Sequence, residues 1–271
     1  MPITVVNTYS GSTNNANSLT ISGIVALEND YLVVAGGYGL SSGAVGQHAP
    51  STVGYTAAGT IEGTASTGAD CEIGVWYKKM GATPDIQVDL PGTTAATQST
   101  AYTVFVLRGV DGTTPLAGTV TSTGDSPTTD GSAGQSPAIT TTSNNAWVLS
   151  FIFDVHTAGS SVSNTAAPSG YSDLVSVSQN DSGDVTLGAS GKIVATAGVE
   201  TPGVYTDDYT TERWSGITVA FAEASGGETA PNTRMRPGLL MTVGNVIDDK
   251  TEAVSTAGGA RRARMVFGRR R

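Results

Sequence analysis

The stretch Trp147-Val148-Leu149-Ser150-Phe151-Ile152-Phe153-Asp154-Val155 constrains the fold more than any other part of the chain. On a pleated strand Trp147, Leu149, Phe151 and Phe153 fall on one side, and Val148, Ser150 and Ile152 on the other, so both faces require cover. That is the pattern of a central strand. A shift of 116 residues towards the amino terminus lands on Tyr31-Leu32-Val33-Val34-Ala35, entered from the turn Glu28-Asn29-Asp30 as the later run is entered from Ser143-Asn144-Asn145. The same shift carries Gly170-Tyr171 onto Gly54-Tyr55 and Phe221 onto Phe105. Landmarks at one offset predict a chain built twice around equivalent strands.

The composition agrees with short strands joined by many turns. Gly accounts for 35 of 271 residues and charged residues for 14%; Gly and β-branched Thr both disfavour helix, and Thr favours sheet. Cys71 stands alone, so it makes no internal disulfide, and no Cys/His cluster has metal-ligand spacing. The segment Met1 to Asn7 lacks the basic and apolar parts of a secretory signal, and no apolar run approaches the ~20 residues that cross a bilayer. The expectation is a soluble protein made in a cytoplasm.

The net charge of −9 hides a division. Residues 1–224 carry five basic groups, Lys78, Lys79, Arg108, Lys192 and Arg213, against nineteen acidic ones, hence −14; residues 225–271 carry nine against four, hence +5. The two parts obey different electrostatic rules.

Along the first half, strands are expected at 3–6, within 17–27, at 31–35, 54–63, 71–80, 84–90 and 101–110, with Ser10 to Asn15 a loop and 40–53 a surface connection. In 71–80 the alternation places Cys71, Ile73, Val75 and Tyr77 on a core face and Trp76 on a face turned to solvent or a partner. Residues 112–137 read as a crossing loop. The second half offers 146–155, 170–177, 183–189, 191–197 and 215–224. The fold class is therefore all-β: an antiparallel β-sandwich of jelly-roll or immunoglobulin-like type, internally duplicated. The body spans 1–224, with pseudo-repeats at about 17–112 and 133–224, and 225–271 forms an extended basic arm.

Candidate sites are few. His48 and His156 sit beside no nucleophile motif, and Cys71 reads as a small buried hydrophobe. Gly188-Ala189-Ser190-Gly191-Lys192 fails as a phosphate loop, because Thr186 occupies the place of the first Gly and Ile193 follows the Lys. Asn180 to Asp184 has the oxygen ligands of a calcium loop, but also the composition of an ordinary turn between strands, the preferred reading. Asp207 and Asp208 are adjacent and point apart, so a carboxylate pair needs a distant partner. No catalytic residue, cofactor or metal is expected. Six arginines in the last eleven residues, Arg261, Arg262, Arg264, Arg269, Arg270 and Arg271, surround Met265, Val266 and Phe267. Arg forks bind carboxylates and phosphates alike; the apolar anchors Met265 and Phe267 favour a docking arm over a nucleic-acid tail.

The succession of an Asn-Asp or Asn-Asn turn, a hydrophobic strand, Gly-Tyr, Val75-Trp76-Tyr77-Lys78-Lys79, and Tyr102-Thr103-Val104-Phe105-Val106-Leu107-Arg108-Gly109-Val110-Asp111 followed by Thr114-Pro115-Leu116 resembles β-sandwich proteins encoded among the virion structural genes of tailed bacteriophages and related prophages. The resemblance covers roughly 17–224 and excludes the basic arm. It implies a non-enzymatic virion component: a capsid decoration protein, a head or tail fibre, or a baseplate accessory. On that reading the chain is a homo-oligomer made in the host cytoplasm and located in the virion, where its arm docks on other virion proteins. It has no membrane or nucleic-acid partner. The alternative is a tail-fibre or baseplate adhesin that binds a host-surface glycan on exposed Tyr38, Trp76, Tyr205 and Tyr209.

Overall fold

The computed structural model describes residues 1–14, 18–40, 49–62, 70–91, 98–124, 134–155, 166–179, 184–206 and 213–225. One compact unit runs Met1–Gly226; the other, Gly227–Arg271, lies outside the described residues. Among the described residues every regular element is a β-strand: β1 (Thr4–Asn14), β2 (Ser18–Ser22), β3 (Tyr31–Leu40), β4 (Thr56–Glu62), β5 (Asp70–Lys79), β6 (Gln87–Pro91) and β7 (Gln98–Arg108), then β8 (Thr121–Gly124), β9 (Ile139–Thr140), β10 (Ala146–Val155), β11 (Ser172–Gln179), β12 (Val185–Val194), β13 (Val199–Glu200) and β14 (Arg213–Phe221).

Pairing is antiparallel throughout and nested. In the first half β1 pairs with β7, β2 with β6 and β3 with β5, which is one long hairpin closed from its ends inward; β4 folds back onto β5. Pairing of β3 with β7 then rolls that hairpin up. The second half repeats the scheme with β8 and β14, β9 and β13, β10 and β12, β11 and β12, and β10 and β14. The large sheets accordingly read β1-β7-β3-β5-β4 and β8-β14-β10-β12-β11.

The register repeats as well. Val33 pairs with Tyr77 and Phe105, and Leu149 with Gly191 and Val219, so β3 maps onto β10 by 116 residues (33 to 149) while β5 and β7 map by 114 (77 to 191, 105 to 219). A bulge between Ala57 and Gly59 recurs between Asp173 and Val175. The left-handed turn residues Asn29 and Asn145 correspond, with φ of 69° and 55°, as do Gly54 and Gly170, with φ of 91° and 83°. Asn tolerates this region through its short polar side chain, and Gly through its missing Cβ. Phe221 does not correspond to Phe105: it pairs with Trp147, whereas Phe105 pairs with Val33. Its counterpart is Leu107.

The two large sheets face each other across a common core. Tyr31, Val33, Ala35, Cys71, Ile73, Val75, Phe105 and Leu107 enter it from one side; Leu149, Phe151, Phe153, Val155, Val185, Leu187, Ile217, Val219 and Phe221 enter from the other. Each fully buried Leu, Ile or Phe contributes about 1.5–3 kcal/mol. Each sheet also has a covered outer face. The β2–β6 pair lies over Leu32, Val34, Trp76, Tyr102, Val104 and Val106, and the shorter β9–β13 pair belongs with a smaller cluster of Ala146, Val148, Ala220 and Ala222.

Several sequence expectations are corrected. Ser10 to Asn14 is strand, not loop, because β1 is an edge strand that needs few apolar residues to pair with β7. A first repeat beginning at 17 therefore omits β1. The crossing segment 112–137 contains β8 and bridges at Leu116 and Gln135. The strands expected at 183–189 and 191–197 are one, β12: Gly191 interrupts nothing, but leaves room for the Trp147 ring, since a Cβ there would lie 2.8 Å from Trp147 Cζ2.

Candidate functional site

The exposed-aromatic platform does not form from the residues expected to build it. Tyr38, Trp76 and Tyr205 are 0%, 3% and 1% exposed. Trp76 is covered by the β2–β6 pair, and the missing side chain of Gly74 makes room for its ring, 2.2 Å from where a Cβ would stand. Tyr38 meets Tyr102 edge-on at 6.5 Å and donates to Pro91 O at 3.3 Å. Tyr205 donates to Ser150 O at 2.6 Å and lies 3.1 and 2.9 Å from the hydroxyls of Ser150 and Ser190. Burial raises all three of the phenols Tyr38, Tyr102 and Tyr205 above the ordinary tyrosine range; Glu72 adds to the effect at Tyr38 and Tyr102, and Asp154 and Asp173 at Tyr205. Tyr209 lies outside the described residues, as do His48, His156, Asp207, Asp208, Asn180 to Gly183 and the arm residues Arg261, Arg262, Arg264, Met265, Phe267, Arg269, Arg270 and Arg271. Asp184, at the end of the loop with calcium-like composition, is buried. Among the described residues no group of His, Cys, Asp and Glu has the arrangement of a metal site.

Cys71 is a buried thiol whose Sγ donates to Phe153 O at 2.9 Å, while its own carbonyl accepts from Ser215 Oγ at 2.9 Å. These bonds run from one sheet to the other. They fix the level of one sheet against the other where Gly39 also meets Val155 and Val185.

Two clusters escape a linear reading. In the first half Lys78 Nζ is 2.7 Å from Asp85 Oδ2 and 5.5 Å from the centroid of the Tyr55 ring, and Tyr55 donates to Asp85 at 3.5 Å. In the second, Lys192 Nζ is 2.8 Å from Glu200 Oε1 and 5.5 Å from the Tyr171 ring, and Tyr171 donates to Glu200 at 3.1 Å. Burial, then the neighbouring carboxylate, raises both phenols. Each clasp pins the Gly-Tyr turn that enters β4 or β11 to a lysine of the paired strand, β5 or β12, and to a carboxylate just beyond it. The sequence signal was the Gly54-Tyr55 and Gly170-Tyr171 landmark, whose partners are too distant along the chain to suggest themselves. Both clasps are closed on themselves, so their chemistry is structural.

The body is also polar along its strands. At one end the connections 23–30, 80–86, 109–120, 141–145 and 195–198 are all described, and tightly tied: Asn29 N donates to Met80 O at 2.9 Å, and buried Asp30 takes a forked pair of 2.8 Å bonds from Arg108. Both ends of the body chain lie here. The Met1 ammonium is 3.2 Å from Glu223, Ala224 N donates to Gly109 O at 2.8 Å, and the Ser225 amide reaches the Asp111 carboxylate. The internal segments outside the description adjoin strand termini at the opposite end, Asn14, Leu40, Glu62, Gly124, Val155 and Gln179 among them. No helix among the described residues is long and apolar enough to cross a membrane.

No family model, curated protein or solved structure matches this chain.

Proposed function

We propose that this chain is a non-enzymatic structural component of a bacteriophage particle: an internally duplicated β-sandwich of jelly-roll type, displayed on the virion and fixed there by residues 225–271. The observation that carries the reading is the polarity of the body. The chain leaves it at Ser225, beside Gly109 and Asp111, at the end where the described connections are hydrogen-bonded to one another. The other end carries the strand termini Asn14, Leu40, Glu62, Gly124, Val155 and Gln179.

Nested pairing in both halves supports the jelly-roll reading, since a rolled hairpin is how that fold is made. Charge supports the tether. A body of −14 repels its own copies, and a segment of +5 with Met265, Val266 and Phe267 among six arginines offsets that repulsion between neighbouring subunits. The buried hydroxyls of Ser136, Ser190, Tyr205 and Ser215 and the Cys71 thiol are engaged in internal hydrogen bonds, which suits a passive building block.

Deletion of residues 261–271 tests the reading. The truncated chain is expected to keep its sheet spectrum and melting transition while disappearing from purified particles; equal occupancy of truncated and intact chains would refute the tether.

A further inference from the structure

The two halves meet as two copies meet in a dimer. Across the core β11 packs against β7 as β4 packs against β14; β12 lies against β7 as β5 lies against β14; β1 lies over β11 as β8 lies over β4. Each contact is answered by its counterpart with the halves exchanged, the rule of an isologous interface. The strand ends obey it too. Val110 pairs antiparallel with Glu223, Ala224 N donates to Gly109 O, and Asp111 N donates to Ala222 O, so the ends of β7 and β14 run past each other across a local two-fold axis.

The backbone is two-fold, but the side chains are not. On β3 the positions equivalent to Phe151, Phe153 and Val155 of β10 are Ala35, Gly37 and Gly39. A Cβ at Gly39 would stand 2.4 Å from Val185 Cγ1 and 2.9 Å from Val155 Cγ2. Thus at this level β10 carries the knob, Val155, and β3 the space for it, at Gly39. Two first halves would set Gly39 against Gly39 and leave that space empty, and two second halves would drive Val155 against Val155; cores penalise both faults.

We propose that this inner face is an interface specific for unlike halves, and that a second copy of the chain can supply the missing half, so that two copies exchange halves through the same contacts. This rests on the two-half reading above. The geometry allows it because one covalent connection joins the halves, at the turn Asp111 to Pro115. Asp111 Oδ1 closes that turn by accepting from Thr113 N at 2.9 Å, Thr114 N at 2.7 Å and Thr114 Oγ1 at 3.2 Å. Exchange opens this turn and breaks no strand pair within either half; only the short pairing of 109–111 with 222–224 must reform.

A protease recognition sequence inserted between Gly112 and Thr113 of the full-length chain tests the interface. After cutting, light scattering is expected to give one species of unchanged mass; fragments that separate or precipitate in native buffer overturn the proposal. Cut protein in isotopically light and heavy forms, mixed in urea and refolded, is expected by native mass spectrometry to hold only pairs of a first with a second half, with labels scrambled. Like-half pairs in comparable amount overturn the specificity. Gly39→Val should lower the urea concentration at which the cut halves part, and Val185→Ala in the same chain should recover part of the shift. In the uncut chain, deletion of Thr113 and Thr114 should double the mass by forced exchange; a folded monomer overturns exchange. Particle incorporation is not read in any arm, so failure of the virion role and failure of this proposal remain distinguishable.

Discussion

On the outer face of the first sheet one rung reads Trp76, Val34, Val104; on the equivalent rung of the second it reads Ser190, Ser150, Thr218. The backbone path is the same, yet the aromatic volume arrives from opposite directions. In the first half the sheet supplies it, as Trp76 rising under the β2–β6 pair. In the second half the sheet keeps small hydroxyl residues, and Tyr205, from the covering segment, brings its OH down onto Ser150 and Ser190. One architecture is thus closed once by apolar packing and once by a hydrogen-bonded network. The first gains from area removed from water, the second from satisfied polar groups whose loss is expensive when buried.

The difference can be broken most forcefully at Trp76. Trp76→Ala removes the ring that fills the first cover and is expected to cost about 3–5 kcal/mol in urea unfolding. Ser190→Ala at the equivalent position, which leaves Tyr205 its bonds to Ser150, should cost about 0.5–1.5 kcal/mol. Equal costs would mean that the two faces are closed in the same way. Next in size is Tyr205→Phe, which keeps the ring but strips the network of its centre. It is expected to cost about 1–3 kcal/mol, as for buried partners left unsatisfied.

High pH sharpens the same contrast. Tyr38, Tyr102 and Tyr205 are all raised by burial, so folding favours their neutral forms. That contribution is whole below the ordinary tyrosine value of about 10 and is lost as pH rises through the raised values. The buried phenols should therefore ionise only together with unfolding, as one cooperative step in ultraviolet absorbance on the alkaline side of that value. In Tyr205→Phe the second half keeps only the share of Tyr171, and the first keeps its own. A gradual titration at the ordinary value, with the fold intact, would contradict the burial argument.

Much of this was legible in the sequence, for reasons visible in particular residues. The core strands announce themselves because both faces of 146–155 and 101–108 are apolar and each must be covered. The turn pairs Asn29 and Asn145, Gly54 and Gly170 were legible because a left-handed backbone leaves few residue choices. The expected solvent-facing Trp76 failed because alternation separates two faces without saying what lies on each, and its cover comes from β2 and β6, remote along the chain. Tyr38 and Tyr205 failed likewise: an aromatic beside glycines reads as exposed, whereas at Gly36 the missing side chain makes room for the Tyr102 ring, 2.4 Å from where a Cβ would stand. The drift from 116 to 114, which accrues between β4 and β5, was hidden because Phe105 and Phe221 stand at the offset of 116 without being equivalent.

The smallest effect belongs to the feature on which the halves agree. Lys78 and Lys192 each combine a carboxylate at hydrogen-bond distance with an aromatic face, and their side chains are 22% and 37% exposed. Solvent screening keeps such pairs weak, and each clasp should contribute about 1 kcal/mol or less. Lys78→Met and Lys192→Met retain the aliphatic stem over the ring and remove only the charge, so the difference from the parent chain isolates the electrostatic part. The first clasp is the more enclosed at its lysine and also donates to Val53 O at 3.0 Å. Lys78→Met should therefore be the costlier of the two and the less sensitive to added salt. If Lys192→Met proved costlier, or if both losses vanished in moderate salt, the clasps would be surface ornaments, and the entries to β4 and β11 would be held by the Gly54 and Gly170 turns alone.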